Sequence, residues 1–323
     1  MMRLNKDKLI DVIFEYGIVL VLIVLVVAFS ASSPSFFTTT TLTTILSQVS
    51  VIGILAVGMT CVMLLGSIDL SVGAIAGVVS VIAALLMSLG TPVWIAVVIA
   101  LAAGVAVGLF NAVSLTIFRI PSLIGTLAVM TALRGLAYLL SGGTPIYDID
   151  PGFKQLAQGS LLGIPIPGIL FILVFLVAAV MLTRTRVGRQ IYGVGGNEES
   201  SRLSGVPVAR IKFFVFGLSG LLAAAGGLLL LARTNSGQPS AGVGYELDVI
   251  TAVVLGGVAI TGGKGRLWLV VVGVLIMGTL STGMVMNNIS DYVQQVVKGL
   301  ILVAAVAFSQ VRARSQGALA VAR

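Results

Sequence analysis

Histidine is missing from all 323 residues, which takes away the usual zinc and haem ligand and the commonest acid–base side chain. Cysteine is almost missing. Cys61 stands alone in an apolar run, so no internal disulfide forms and the redox compartment cannot be read. Charge is scarce too. Only 9% of residues are charged, against about 25% in a soluble domain, and such a chain cannot clothe itself in polar surface. What it has instead is 58% hydrophobic residues, gathered in repeated apolar runs of about 20 residues, the length of an α-helical membrane span. The runs are continuously apolar, without the in–out alternation of a membrane β-barrel. The expected fold is all-α, a polytopic integral membrane protein.

About ten transmembrane helices are expected. The run Tyr16–Ala31 follows Arg3, Lys6 and Lys8 and reads as an uncleaved first span with a cytoplasmic N-terminus. Ser32–Thr44 reads as an external loop with Phe36 and Phe37 at the interface. Ile45–Leu65 and Val72–Leu89 come next, parted by Gly66–Ser71 (GSIDLS), which leaves open two spans or one span plus a re-entrant piece. Further spans are expected at Pro92–Phe118, Pro121–Leu140, Ile166–Leu182, Phe213–Ala232, Leu247–Ile260, Leu267–Met286 and Val293–Phe308.

Ten spans put both termini in the cytoplasm. The inner segments then hold Arg3, Lys6, Lys8, Arg119, the six basic residues from Arg184 to Lys212, Lys264, Arg266, Arg312, Arg314 and Arg323. The outer segments hold Lys154 and, at a helix end, Arg233. This is the positive-inside pattern, and it explains the net charge of +8 without invoking nucleic acid. Residues 1–323 are expected to form a single transmembrane domain, with 184–212 as a cytoplasmic loop within it.

That loop, RTRVGRQIYGVGGNEESSRLSGVPVARIK, is the longest polar interruption in the chain. It contains a punctuated short helix. Asn197 can cap it, Glu198 and Glu199 sit in its first turn, Gly205 is placed to end it and Pro207 stops it continuing. About two turns of helix are not stable alone in water, so this one must rest on the membrane domain or on a partner protein.

The glycine-rich turns do not make a nucleotide site. In GGVAITGGKGR the first phosphate-loop glycine would be Val258, and Gly265 follows Lys264 where Ser or Thr should hold magnesium. GVGGNE from Gly193 has Glu198 where the dinucleotide fingerprint needs glycine. No ATP hydrolysis is expected from this chain alone. GAIAG (Gly73–Gly77) and GVAVG (Gly104–Gly108) are small-xxx-small patterns that let helices approach, within one subunit or between two.

An ionisable group within a span is costly unless paired or wet. Asp69, in the break between two spans, either caps the helix that starts near Val72 or lines a water-filled pathway. Arg134 lies deep in the fifth span, while Glu246 and Asp248 open the eighth. We expect Arg134 or Arg233 to pair with Glu246 or Asp248 at the external mouth. Gln48, Asn111, Thr126 and Asn287 can line a route for a hydroxylated solute or simply bond neighbouring helices.

GMTCVMLLGSIDLSVGAIAG, IPSLIGTLAVMTALRG, GRQIYGVGGNEESSRLSGVPVARIK and SGQPSAGVGYELDVITAVVLGGVAITGGKGR, in this order, resemble the permease of ribose-type bacterial ABC sugar importers. The resemblance covers nearly the whole chain. It implies a ten-span inner-membrane subunit that dimerises with a second copy and couples to a cytoplasmic ATP-binding subunit. It also implies a periplasmic sugar-binding protein docked outside, and ATP and magnesium held by the ATPase and not by this chain. The family's Glu-Ala-Ala-x-x-x-Gly pattern, its coupling helix, is matched here by Glu199, Ser200, Ser201 and Gly205, with serine for both alanines. The coupling residues implied are thus Asn197, Glu198, Glu199, Ser200, Ser201, Arg202 and Gly205. The family's GGIDLSVG is GSIDLSVG here, with Ser67 for glycine.

Three rival classes fit less well. An ion-coupled secondary transporter usually buries mid-span carboxylates, which are essentially lacking here. An ABC permease for a non-sugar solute remains open. A membrane enzyme would need a nucleophile–base pair or metal cluster, and the sequence offers neither.

Overall fold

The computed structural model describes the backbone of residues 6–147 and 149–321, and the side chains of 17–147 and 149–310. Arg3, Asp148 and Arg323 lie outside the described residues, as do the side chains of Lys6, Lys8, Arg312 and Arg314.

The described chain is a helical bundle. In order it forms α1 (Lys6–Ser32), α2 (Thr39–Leu64), α3 (Val72–Ser88), α4 (Val93–Thr116) and α5 (Ser122–Ser141). A 3-10 turn (Pro151–Lys154), the one-turn α6 (Gln155–Gln158) and a hairpin of β1 (Ser160–Leu161) with β2 (Ile164–Pro165) then lead to α7 (Ile166–Arg184). α8 (Arg186–Gly196), α9 (Glu198–Leu203), α10 (Val208–Thr234), α11 (Tyr245–Leu255), α12 (Leu267–Met286) and α13 (Asp291–Val321) complete it. Among the described residues, seven helices are long and apolar enough to cross a membrane, and Gly17–Ser32 and Val72–Ser88 are shorter apolar helices. The chain is a multi-pass membrane protein.

Burial sorts these helices into a centre and a rim. The most apolar windows of α2 and α10 are 83% and 78% buried within the chain, whereas those of α4, α5 and α13 are 22%, 22% and 11%. α3, almost wholly buried, lies against α4, α5 and α10. The rim helices turn Trp94, Phe110, Leu139, Val177 and Leu300 outward. Hydrocarbon is a favourable surrounding for such faces, so they do not need to be hidden from lipid.

Glycine lets the rim helix α4 approach the central α10 closely. On α4, a side chain at Gly104 or Gly108 would run into the Gly220 or Phe216 carbonyl of α10, and one at Gly220 would meet the Gly104 carbonyl. The GVAVG pattern therefore joins two helices of one subunit. GAIAG behaves differently. The missing side chains of Gly73 and Gly77 make room for the Ala241 and Gly242 carbonyls, so this glycine face seats a loop, not a helix.

Two expected boundaries shift. The external loop at Ser32–Thr44 is shorter than expected, because α2 already starts at Thr39, with Thr38 Oγ1 accepting the Thr41 N–H at 3.3 Å. Within that loop only Phe37 is an exposed, interfacial ring, at 66%; Phe36 is buried against Phe29, ring centroids 5.6 Å apart. The eighth span, expected over Leu247–Ile260, is the 11-residue α11, which stops at Leu255. Gly256 closes it, and Gly257 has φ of 76°, a left-handed conformation that favours glycine over any residue with a Cβ. The apolar run continues past that point, but the helix does not.

The α4–α10 contact yields a test with its own control. Gly220→Leu forces extra atoms into a closed contact, a change that costs about 1–3 kcal/mol, and it should lower the unfolding midpoint of the detergent-purified protein by several degrees. Gly135→Leu, at a position where an added Cβ meets nothing within 4 Å, should leave that midpoint unchanged.

Candidate functional site

The loop after α7 folds as two helices and a stop. Thr185 caps α8 by accepting the Gly188 N–H at 3.2 Å. α8 buries Gly188, Ile191 and Val194 along one face. It was not expected, although Val187, Ile191 and Val194 stand at the i, i+4, i+7 spacing that marks an amphipathic helix. Asn197 ends α8 and starts α9, its Oδ1 accepting the Ser200 N–H at 2.8 Å. At the far end the Gly205 N–H donates to the Arg202 carbonyl and the Val206 N–H to the Ser201 carbonyl, both at 3.0 Å. With Gly205 at φ 81°, this is a Schellman stop, which only a residue tolerant of left-handed backbone closes cheaply.

α9 is thus a six-residue helix capped at both ends and held from the side. Lys212, in the first turns of α10, donates to both Glu198 carboxylate oxygens at 2.9 Å. Ser201 is buried near Gly193 of α8, so a small side chain is required there. Glu199 and Arg202 pair with each other on the open face. The Arg202 guanidinium, by hydrogen bond and by charge, holds the Glu199 carboxyl below the usual carboxylate range, so it stays ionised at neutral pH. Ser200 is exposed, and Leu203 is 81% exposed. Leu203 is thus an apolar tip beside an exposed ion pair on a capped helix.

α8 also seats the TGGKGR turn. The Gly263 N–H donates to the Leu64 carbonyl at the end of α2 at 2.9 Å, and Tyr192 Oη donates to the Gly265 carbonyl at 2.9 Å. A side chain at Gly195 would strike both the Leu64 carbonyl and the Gly263 nitrogen. The glycines of this turn serve a backbone-to-backbone joint between α8, α2 and the segment after α11.

Asp69, Asn111 and Thr126 come together, in a closed knot. Asp69 is 0% exposed. Its Oδ1 accepts from the Ser71 N–H (3.0 Å), the Ser71 hydroxyl (2.6 Å) and Asn111 Nδ2 (3.4 Å), and its Oδ2 from the Ser219 hydroxyl of α10 (3.0 Å). Thr126 Oγ1 accepts the Leu70 N–H at 3.0 Å. Asp69 does not cap α3, whose N-cap is Ser71 without a side-chain bond. It gathers the unwound 65–71 stretch onto α4 and α10. Its partners stand 42 and 150 residues away, where no local signal exists. The other two polar candidates lie elsewhere: Gln48 accepts from Thr282 (3.2 Å), and Asn287 donates to the Ser32 hydroxyl (3.2 Å) and the Gly283 carbonyl (2.8 Å).

Of the four charges expected at one mouth, two meet. Arg134 lies 3.6 Å from Glu246 and donates to the Ala241 and Gly242 carbonyls at 2.7 and 2.8 Å. Asp248 takes Lys298 of α13 as its partner, at 2.7 Å, in place of an arginine. Arg233 is exposed and makes no ion pair among the described residues.

A family model described as "Branched-chain amino acid transport system / permease component" matches residues 41–306. The chain belongs to this permease family. The permease is 43% identical over 269 residues to the ribose import permease protein RbsC of Escherichia coli (strain K12), covering 81% of this chain and 83% of the relative. It is 40% identical over 264 residues to the RbsC of Bacillus subtilis (strain 168), covering 81% and 82%. To the L-arabinose transport system permease protein AraH of Escherichia coli (strain K12) it is 39% identical over 268 residues, covering 83% and 82%. No solved structure matches it. As a permease component of an ABC transporter it is an inner-membrane protein and not an enzyme, and ATP hydrolysis belongs to a separate subunit.

The caps of α9 can be tested one at a time. Asn197→Ala removes a cap worth about 1 kcal/mol, so amide exchange across 198–206 should speed up roughly fivefold. Asn197→Asp should restore the native rate. Equal exchange in wild type and Asn197→Ala would show that the cap does not hold α9.

Proposed function

We propose that this chain is the membrane-spanning permease of an ATP-driven importer for a monosaccharide of the ribose or arabinose kind, working by alternating access. Support for the sugar comes from the ribose and L-arabinose for which the RbsC and AraH relatives are named. The family-model description names branched-chain amino acids instead, but relatives that match over about four-fifths of both chains at 39–43% identity are the closer guide to solute class.

In this reading the chain makes ten passes. Seven are the long apolar helices, two are Gly17–Ser32 and Val72–Ser88, and the tenth is the partial pass of α11. Both termini and the 184–212 loop face the cytoplasm. Arg119, Arg184, Arg186, Arg189, Lys264 and Arg266 then fall inside, as the positive-inside rule requires. Two copies form a dimer around the pathway. The external segments at 141–165 and 234–245 receive a periplasmic binding protein, with the Arg134–Glu246 pair fixing the second of them at the mouth.

The observation that carries the reading is α9. It is a rigid helix, capped at both ends and tied to α10 through Glu198 and Lys212, which presents Glu199, Ser200, Arg202 and Leu203 to solvent. A cytoplasmic ATPase groove that closes on ATP would move it as a body, and α10 would move with it. ATP and magnesium stay on that ATPase.

Glu199→Arg breaks the charge pattern of the docking face, while Gly205→Leu strains its stop. In proteoliposomes holding permease, ATPase and binding protein, Glu199→Arg should cut D-ribose uptake by at least about tenfold, the cost of one charge-assisted contact, and Gly205→Leu should also lower it. Membrane insertion should be unaffected. Wild-type uptake and wild-type ATPase stimulation in both variants would contradict the assignment.

A further inference from the structure

At the end of the bundle away from α9, the first turns of α2, the last turn of α10 and the 157–165 segment enclose a cavity of about 500 Å³. This lies within the range of about 300–1,000 Å³ usual for small-molecule sites. Its lining departs sharply from the rest of the chain. Thr43, Ser47 and Gln48 face it from α2, Gln158 and Ser160 from α6 and the hairpin, and Arg233 from the end of α10. No carboxylate and no aromatic ring lines it.

Two of the lining groups have hydrogen-bonding capacity that the protein does not use. Gln48 spends its Oε1 on the Thr282 hydroxyl at 3.2 Å, which orients the amide and leaves its NH₂ with no acceptor among the described residues. Arg233 makes neither hydrogen bond nor ion pair among those residues. Arg233 is exposed and Gln48 half-buried, so both donors are accessible to a solute entering the open cavity. Here two amides, a guanidinium and four hydroxyls line one open space.

We propose that this cavity is a transit site for a hydroxyl-rich solute, selected by Gln48 and Arg233. The proposal rests on the importer reading and adds to it where the solute is handled. The chemistry narrows the ligand. A cation finds no counter-charge, and an aromatic solute finds no ring to stack on. A small polyol finds donors and acceptors on three sides. The site is open, with Gln48 half-buried and Gln158, Ser160 and Arg233 exposed, which suits a step in transit, where a solute must be held weakly enough to leave.

Two measurements separate this proposal from the reading beneath it. The first is saturation-transfer NMR on the permease alone in nanodiscs, with D-ribose as probe and ribose 5-phosphate as comparison. The wild type should give a D-ribose signal that falls about fivefold, one hydrogen bond's worth, in Gln48→Leu, and similarly in Gln48→Glu and Arg233→Met. Gln48→Glu keeps the side-chain volume and the acceptor for Thr282, so its fold is secure. The second is ATP-driven uptake in the full importer at saturating loaded binding protein, which should fall by a like factor while binding-protein affinity stays at the wild-type value.

Equal D-ribose signals in wild type and variants, or a signal from ribose 5-phosphate alone, would overturn the transit site while leaving uptake by the wild type intact. Loss of binding-protein affinity in the variants would also overturn it, since the cavity would then seat a protein loop. A wild type that binds D-ribose through Gln48 but moves none with ATPase and binding protein present would instead sink the importer reading and leave the cavity standing.

Discussion

Inside a bilayer, every peptide group that leaves a helix must find its partner within the protein, because no water is there to take it. Three of the breaks between helices in this permease are held by specific partners within the protein. The 65–71 stretch is held by Asp69, with Ser122 and Thr126 accepting the Ile68 and Leu70 N–H groups. The 256–266 stretch is held by the Gly263-to-Leu64 bond and by Tyr192. The 235–244 stretch has its Ala241 and Gly242 carbonyls taken by Arg134. The scarce polar residues of this chain are spent largely on these breaks. Leaving a buried polar group without its partner is costly, so Asp69 and Arg134 hold irregular backbone in place wherever else they act.

These answers also join the ends of the molecule. α9 is fixed to α10 by Glu198 and Lys212. Ser219, further along α10, donates to Asp69. Asp69 holds the break between α2 and α3. On the proposed reading, a push on α9 reaches the middle of the bundle through one helix and one hydrogen-bonded knot, while α8 passes it to α2 and the turn after α11. The glycines at Gly104, Gly108 and Gly220 leave no slack between α4 and α10, so α4 must follow.

Much of this was legible beforehand, for identifiable reasons. Span ends follow apolar length, and α12 runs from Leu267 to Met286 as expected. The short helix was legible because its signals are local: Asn197, Glu198, Gly205 and Pro207 lie within eleven residues. The Arg134–Glu246 contact followed from the cost of an unpaired charge in lipid. What escaped depends on distance or on backbone. Lys298 reaches Asp248 across 50 residues, and Ser219 reaches Asp69 across 150. The end of α11 is set by glycine conformation inside an unbroken apolar run. The loop seat at Gly73 and Gly77 looks in sequence like any helix-packing motif.

The central claim is that α9 stands on the cytoplasmic side as the surface an ATPase grips. The most direct test is site-directed labelling in a cysteine-free background (Cys61→Ala) carrying Ser200→Cys, using a membrane-impermeant maleimide on right-side-out and inside-out vesicles. The account predicts labelling in inside-out vesicles only, and protection when the ATPase subunit is added. Labelling in right-side-out vesicles, or labelling in inside-out vesicles that the ATPase leaves unchanged, would contradict it.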